Sequence, residues 1–191
     1  MADLVCPCGL DLYESCCQPL HSGHKKAETA AQLMRSRYSA FAKHEIDYLV
    51  QTTALGQQQA LDVKAIAEWS KVNQWLKLDV VQAQEKRDKN HAQVEFKAHY
   101  ATQEQSGQQV HIHHEISHFV KQNGMWYFLD PTTEQQITMK QPCICGSGKY
   151  PPSRSSAHNP GKDWRFPDCG TKSRCFLIPV LRRTASPFCC R

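Results

Sequence analysis

An α+β fold is predicted for residues 27–140 of this chain: three helices followed by a four-stranded antiparallel sheet. Three observations predict it. Apolar residues recur at helical spacing before Asn73, they alternate with polar residues after it, and an Asn-Gly pair separates the last two alternating runs. A cysteine cluster precedes this domain in residues 1–20. A second one begins in 141–149, and an atypical tail fills 150–191.

Each element follows from local chemistry. Thr29 and Gln32 form a capping box, in which the hydroxyl accepts a free amide and the glutamine side chain reaches back. Leu33, Met34, Tyr38 and Phe41 then share one face of a helix ending near Lys43. Ile46, Leu49 and Val50 mark a short second helix. Asp62 caps a third, which turns Val63, Ile66 and Trp69 inward and ends near Asn73. Leu76, Leu78 and Val80 alternate with Lys77 and Asp79 in the first strand. Ala92, Val94, Phe96, Ala98 and Tyr100 form the cleanest period-two run. The third strand spans 110–121, and Asn123-Gly124 turns the chain into a fourth at 125–130.

Composition narrows the function classes. No run of 18 apolar residues is present, so no transmembrane helix is expected. The start, Met1 to Pro7, has neither a basic region nor an apolar stretch of a secretory signal. Ten cysteines in that context point to a reducing, cytoplasmic setting, where thiols bind metal more often than they pair. The net charge of +5 invites a nucleic-acid reading, but the excess sits in the tail. From Lys149 onward nine lysines and arginines face only Asp163 and Asp168, which leaves 14 basic against 16 acidic residues in 1–148. A surface built to follow phosphates needs its positive charge on the folded part, so this distribution argues against nucleic acid.

Cys6-Pro7-Cys8-Gly9 followed by Cys16-Cys17 is the strongest chemical signal. Zinc takes four thiolate or imidazole ligands at tetrahedral angles, and a Cys-x-Cys turn offers two sulfurs to one point. Gly9 allows the sharp turn, and seven residues return the chain so that Cys16 and Cys17 close the site. A peptide this short cannot bury a core, whereas structural zinc contributes on the order of 10–16 kcal/mol. Disulfides and free thiols are the competing readings. A reducing compartment disfavours disulfides, and a bridge between adjacent cysteines is strained.

The pattern starts again at Cys143-Ile144-Cys145-Gly146-Ser147-Gly148-Lys149, which resembles the SEC-C zinc knuckle known from the end of the SecA preprotein translocase ATPase. Where two further ligands should follow, the chain has Arg154 and Ser155, so this second site at Cys143 and Cys145 is incomplete. The tail beyond Lys149 lacks periodicity and caps, and is read as out of frame or otherwise non-native; sequencing the source gene tests this.

Two cysteine clusters flank the helical run Leu33-Met34-Arg35-Ser36-Arg37-Tyr38-Ser39-Ala40-Phe41. Together with Asp47-Tyr48-Leu49, Glu115-Ile116-Ser117-His118-Phe119 and Asn123-Gly124-Met125-Trp126-Tyr127, they make the chain resemble the YchJ family over about residues 5–149. The resemblance implies a nuclear transport factor 2-like (cystatin-like) cone for the middle domain and zinc at Cys6, Cys8, Cys16 and Cys17. Besides the tail, two features depart from the family pattern: seven rather than eight residues separate the first cysteine pairs, and Asp130-Pro131 stands where Asp-Gly is usual. The family brings no assigned activity.

A pocket is conceivable on the sheet. His111, His113, Glu115, Ser117 and Phe119 share one face of the third strand. If that face is concave, Arg35 or Arg37 can approach Glu115, with Tyr38, Trp75 and Trp126 as apolar walls. The preferred reading of the charges is a structural ion pair between helix and sheet, with the aromatics as ordinary core. His111-x-His113 is read as exposed strand histidines rather than a chelate, since no third ligand follows. No phosphate loop or nucleophile elbow occurs, so no catalytic residue is assigned. The leading expectation is a zinc knuckle that docks a protein partner. The alternative is a small-molecule-binding or enzymatic cone domain centred on Glu115.

Overall fold

Thr29 is extended and its Oγ1 accepts from the Gln32 amide at 3.1 Å, starting the long helix α2 (Ala30–Lys43). The glutamine reaches back as expected, but to the amide of Glu28, at 2.8 Å, one residue before the cap. A short helix α1 (Gln18–His21) comes before it, with Pro19 in its first turn. Two further helices follow, α3 (Ile46–Gln51) and α4 (Val63–Val72), the latter capped by Asp62 Oδ1 accepting from the Ala65 amide. This computed structural model describes residues 5–133, apart from 89 and 105–106; the second cysteine cluster at 141–149 and the tail at 150–191 lie outside the described residues.

The sheet is an antiparallel meander in the order β1 (Asn73–Asp88), β2 (His91–Glu104), β3 (Gly107–Gln122), β4 (Met125–Leu129). Asn123 and Gly124 both have positive φ, 50° and 79°, the conformation a two-residue hairpin needs. β2 shows the predicted alternation: Ala92, Val94, Phe96, Ala98 and Tyr100 are buried and the residues between them are not.

β1 departs from its predicted register. Trp75 pairs with Tyr100 and Lys77 with His99, so Leu76 is a bulged extra residue. Trp75, Leu78 and Val80 therefore meet the core while Leu76 is exposed. Val63 is also exposed, because it occupies the first turn of α4; Ile66 packs on the core and Trp69 packs edge-on against Tyr100.

The core lies between α2 and one face of the sheet. Leu33, Met34, Tyr38 and Leu49 pack there against Val94, Phe96, Ala98 and Phe119. Helix α2 also buries Ser36, Arg37 and Ser39. A helix buried almost all round has more than one neighbour: the sheet covers one side, α3 and the cysteine segment the other. Beyond α3 the chain pairs with β4, through Phe128 N donating to the Thr52 carbonyl and Ala54 N to the Phe128 carbonyl, each 2.8 Å. No helix among the described residues is long and apolar enough to cross a membrane.

Candidate functional site

The amino-terminal segment is a small hairpin closed by a bridge between Val5 and Leu12. Gly9 turns it with φ of 80°, its amide donating to the Cys6 carbonyl at 2.9 Å. Cys16 and Cys17 come from the turn that feeds α1. The four sulfurs of Cys6, Cys8, Cys16 and Cys17 all lie within 4.8 Å of one another, Cys8 to Cys16 at 3.4 Å and Cys16 to Cys17 at 3.8 Å. Four thiolates about 2.3 Å from a tetrahedral metal sit roughly 3.8 Å apart, so the residues fit a metal ion. It is the only such grouping of three or more metal-binding side chains among the described residues.

The thiols are electrostatically interdependent. Hydrogen bonds from Cys17 and Cys8 hold the Cys6 thiol far below its ordinary value. Burial and the neighbouring Cys8 push Cys16 up to about 12, and hydrogen bonding to Cys6 and Cys8 pushes Cys17 up as well. A divalent cation is what allows all four to be thiolates.

The cluster is fastened to α2. Cys6 Sγ meets Ser39 Oγ at 3.5 Å, and Arg35 Nη1 donates to the Cys8 carbonyl at 3.3 Å. His21 Nε2 donates to the Ser36 carbonyl at 2.9 Å, so Tyr13 donates its hydroxyl proton to His21 Nδ1 at 2.8 Å. Burial pushes the His21 imidazole below its ordinary value of 6.5. Lys43 covers the Tyr13 ring at 5.1 Å.

On the other side of α2 lies a cavity of about 140 Å³. Its walls are largely aromatic, and its polar lining includes Arg37, His113, Glu115, Ser117 and Asp130. His113 Nε2 meets Glu115 Oε2 at 2.7 Å, and Ser117 Oγ donates to Glu115 Oε1 at 2.5 Å. Burial alone would raise the Glu115 carboxyl. The bonds from His113 and Ser117, with His118 nearby, bring it below its usual range. Burial lowers Arg37 to about 10, against the pull of Asp130, Tyr48 and Glu115.

Of the residues expected at a pocket, Arg37, Tyr38, Trp75, Glu115 and Ser117 line this cavity. Arg35 does not; it serves the cysteine cluster. Trp126 is core, its indole donating to the Glu28 carbonyl at 3.0 Å. Among the described residues no helix-to-sheet ion pair forms at Glu115, whose partners there are both on its own strand. His111 and His113 are half-buried rather than exposed, His111 stacked on Tyr100 and bonded to Thr102. Period-two spacing had put His113 beside Glu115 and Ser117, which was the signal for its place in the cavity. Asp130 and Thr132 carried none.

Residues 29–131 match the family model described as the YchJ middle NTF2-like domain. The chain belongs to the YchJ family. A UPF0225 protein of Actinobacillus succinogenes is 44% identical over 147 residues, covering 76% of this chain and 92% of that protein. One from Haemophilus influenzae is 43% identical over 145 residues, covering 75% and 86%. Among solved structures, a SEC-C motif containing protein from Psychrobacter arcticus is 45% identical with a TM-score of 0.67, covering 78% of this chain and 95% of that one. Another from Rhodopseudomonas palustris is 34% identical with a TM-score of 0.60, covering 66% and 95%. The helices and meander are thus the NTF2-like domain of a YchJ-family chain, and the cluster of four cysteines able to hold a metal ion precedes it.

Proposed function

We propose that this chain is a zinc-organised protein-interaction module of the reducing cytoplasm, with the knuckle as docking element and the cone domain as its scaffold. One observation carries the reading. While the four sulfurs point inward, Val5, Leu10 and Leu12 on the same hairpin remain 63%, 64% and 50% exposed. Apolar side chains on a hairpin with no apolar core of its own are spare surface for a partner's apolar segment. Four protein thiolates leave no open coordination position, which favours structural zinc over a catalytic metal. The attachment to α2 presents that surface rigidly and spares a partner the work of ordering it.

Pull-down from a lysate with three proteins tests this. The native chain captures a partner set, whereas Cys16→Ser/Cys17→Ser loses the metal and the partners together. Leu10→Asp/Leu12→Asp keeps the metal and loses the partners. Recovery of the same partners by all three contradicts the docking role.

A second reading is favoured by the cavity: a small-molecule-binding or enzymatic cone domain. Here Glu115, held ionised, orients His113 rather than giving up a proton itself. His113 Nδ1 has no partner among the described residues and is the ring atom left for a ligand.

A further inference from the structure

Arg37 is a buried cation whose guanidinium is only partly bonded. It is 7% exposed, and all its hydrogen bonds leave from one nitrogen: Nη1 donates to the Leu49 carbonyl and Thr52 Oγ1, each at 2.7 Å, and to Thr53 Oγ1 at 3.4 Å. The N–H groups of Nε and Nη2 have no acceptor among the described residues. The Phe128 ring lies under the guanidinium at 4.4 Å. Neither carboxylate of the cavity makes an ion pair with it: Glu115 is bonded to His113 and Ser117, and Asp130 Oδ1 accepts from the Thr132 amide and hydroxyl. Both carboxylates pull on Arg37 through space without bonding to it, so the Nε–Nη2 edge is left for an acceptor from outside.

The unused edge has a particular shape. Nε–H and one Nη2–H point the same way and match the two oxygens of a carboxylate, a bidentate pair that a point cation cannot make. Beyond it the walls are Tyr38, Phe41, Ile66, Trp69, Trp75 and Tyr100. They enclose about 140 Å³, and a dry cavity of about 150 Å³ holds a benzene molecule.

We infer that this cavity binds a small monocarboxylate with an apolar body the size of a single ring, its carboxylate seated on the Nε–Nη2 edge of Arg37. The inference rests on the second reading above and names its ligand class. Glu115 and Asp130 line the same cavity and repel further negative charge, so the ligand carries a single one, held by the bidentate edge. Neutral and cationic molecules of the same shape leave Arg37 unanswered.

The full chain with its metal is titrated with benzoate, benzamide and benzylamine, followed by calorimetry and by the indole N–H signals of Trp69 and Trp75. Benzoate binds at least about tenfold more tightly than either isostere, as loss of a charge-assisted pair requires. Arg37→Gln abolishes that preference, while Glu115→Gln, which removes the like charge and keeps the fold's hydrogen-bonding shape, strengthens benzoate binding. If Arg37→Gln fails to fold, the wild-type series and Glu115→Gln still decide. Equal or tighter binding of benzamide or benzylamine overturns the carboxylate inference and leaves the cavity reading standing. No binding by any of the three overturns both.

Discussion

Arg35 and Arg37 leave α2 two residues apart and serve opposite sides of it. Residues at that spacing point about 200° apart on a helix, so Arg35 reaches the Cys8 carbonyl while Arg37 enters the cavity. The sequence left either arginine free to approach Glu115, because what each side of α2 faced became legible only once the knuckle was placed against it. Arg35→Ala is expected to lower stability by about 1 kcal/mol, the worth of one charge-assisted bond at a half-exposed site, read by urea denaturation of the metal-loaded chain.

Glu115 gives a pH signature. Its folded-state value lies below the ordinary 4.5, so its contribution is complete above that value and is lost as pH falls through the lower folded one. Glu115→Gln is therefore expected to be less stable than wild type at neutral pH, with the gap closing under acid conditions. A gap that stays constant with pH contradicts this account of the His113–Glu115–Ser117 set.

At the level of elements, caps and alternation made the helices and strands readable. Thr29, Asp62 and Asn123-Gly124 each act where local chemistry places them. Thr29→Ala should cost about 1 kcal/mol, because Gln32 N loses its acceptor and α2 anchors both the knuckle and the core. The bulge at Leu76 was not readable. It is a choice of register against β2, and Leu76, Leu78 and Val80 carry the same apolar pattern with or without it.

The joint between α1 and α2 was equally hidden, since nothing local distinguishes His21 from the neighbouring His24. His21 is held neutral by burial, so the unfolded chain takes up its proton first. Stability is complete above 6.5 and falls as pH drops below it. His21→Gln should remove that slope from a melting series between pH 7.5 and about 5, and an unchanged slope places the titration elsewhere.

Over the whole molecule, a metal-ligand cluster and an aromatic cavity share one helix as their common wall. The cluster lies against Ser39, Arg35 and Ser36, and the cavity against Arg37, Tyr38 and Phe41. The convergence of the four cysteines was legible because Cys-x-Cys-Gly with a returning Cys-Cys leaves a short peptide few other ways to be stable. The cavity was legible only in part, because its polar lining depends on which neighbours each charged group meets after folding.

The central claim is that Cys6, Cys8, Cys16 and Cys17 converge on one divalent ion. Metal content per chain, measured on the native protein and on Cys6→Ser/Cys17→Ser purified side by side, tests it most directly. The account predicts that the substitution removes one equivalent of zinc. Equal metal in both proteins, or a disulfide within the four cysteines of the native chain isolated from a reducing cytoplasm, would contradict it.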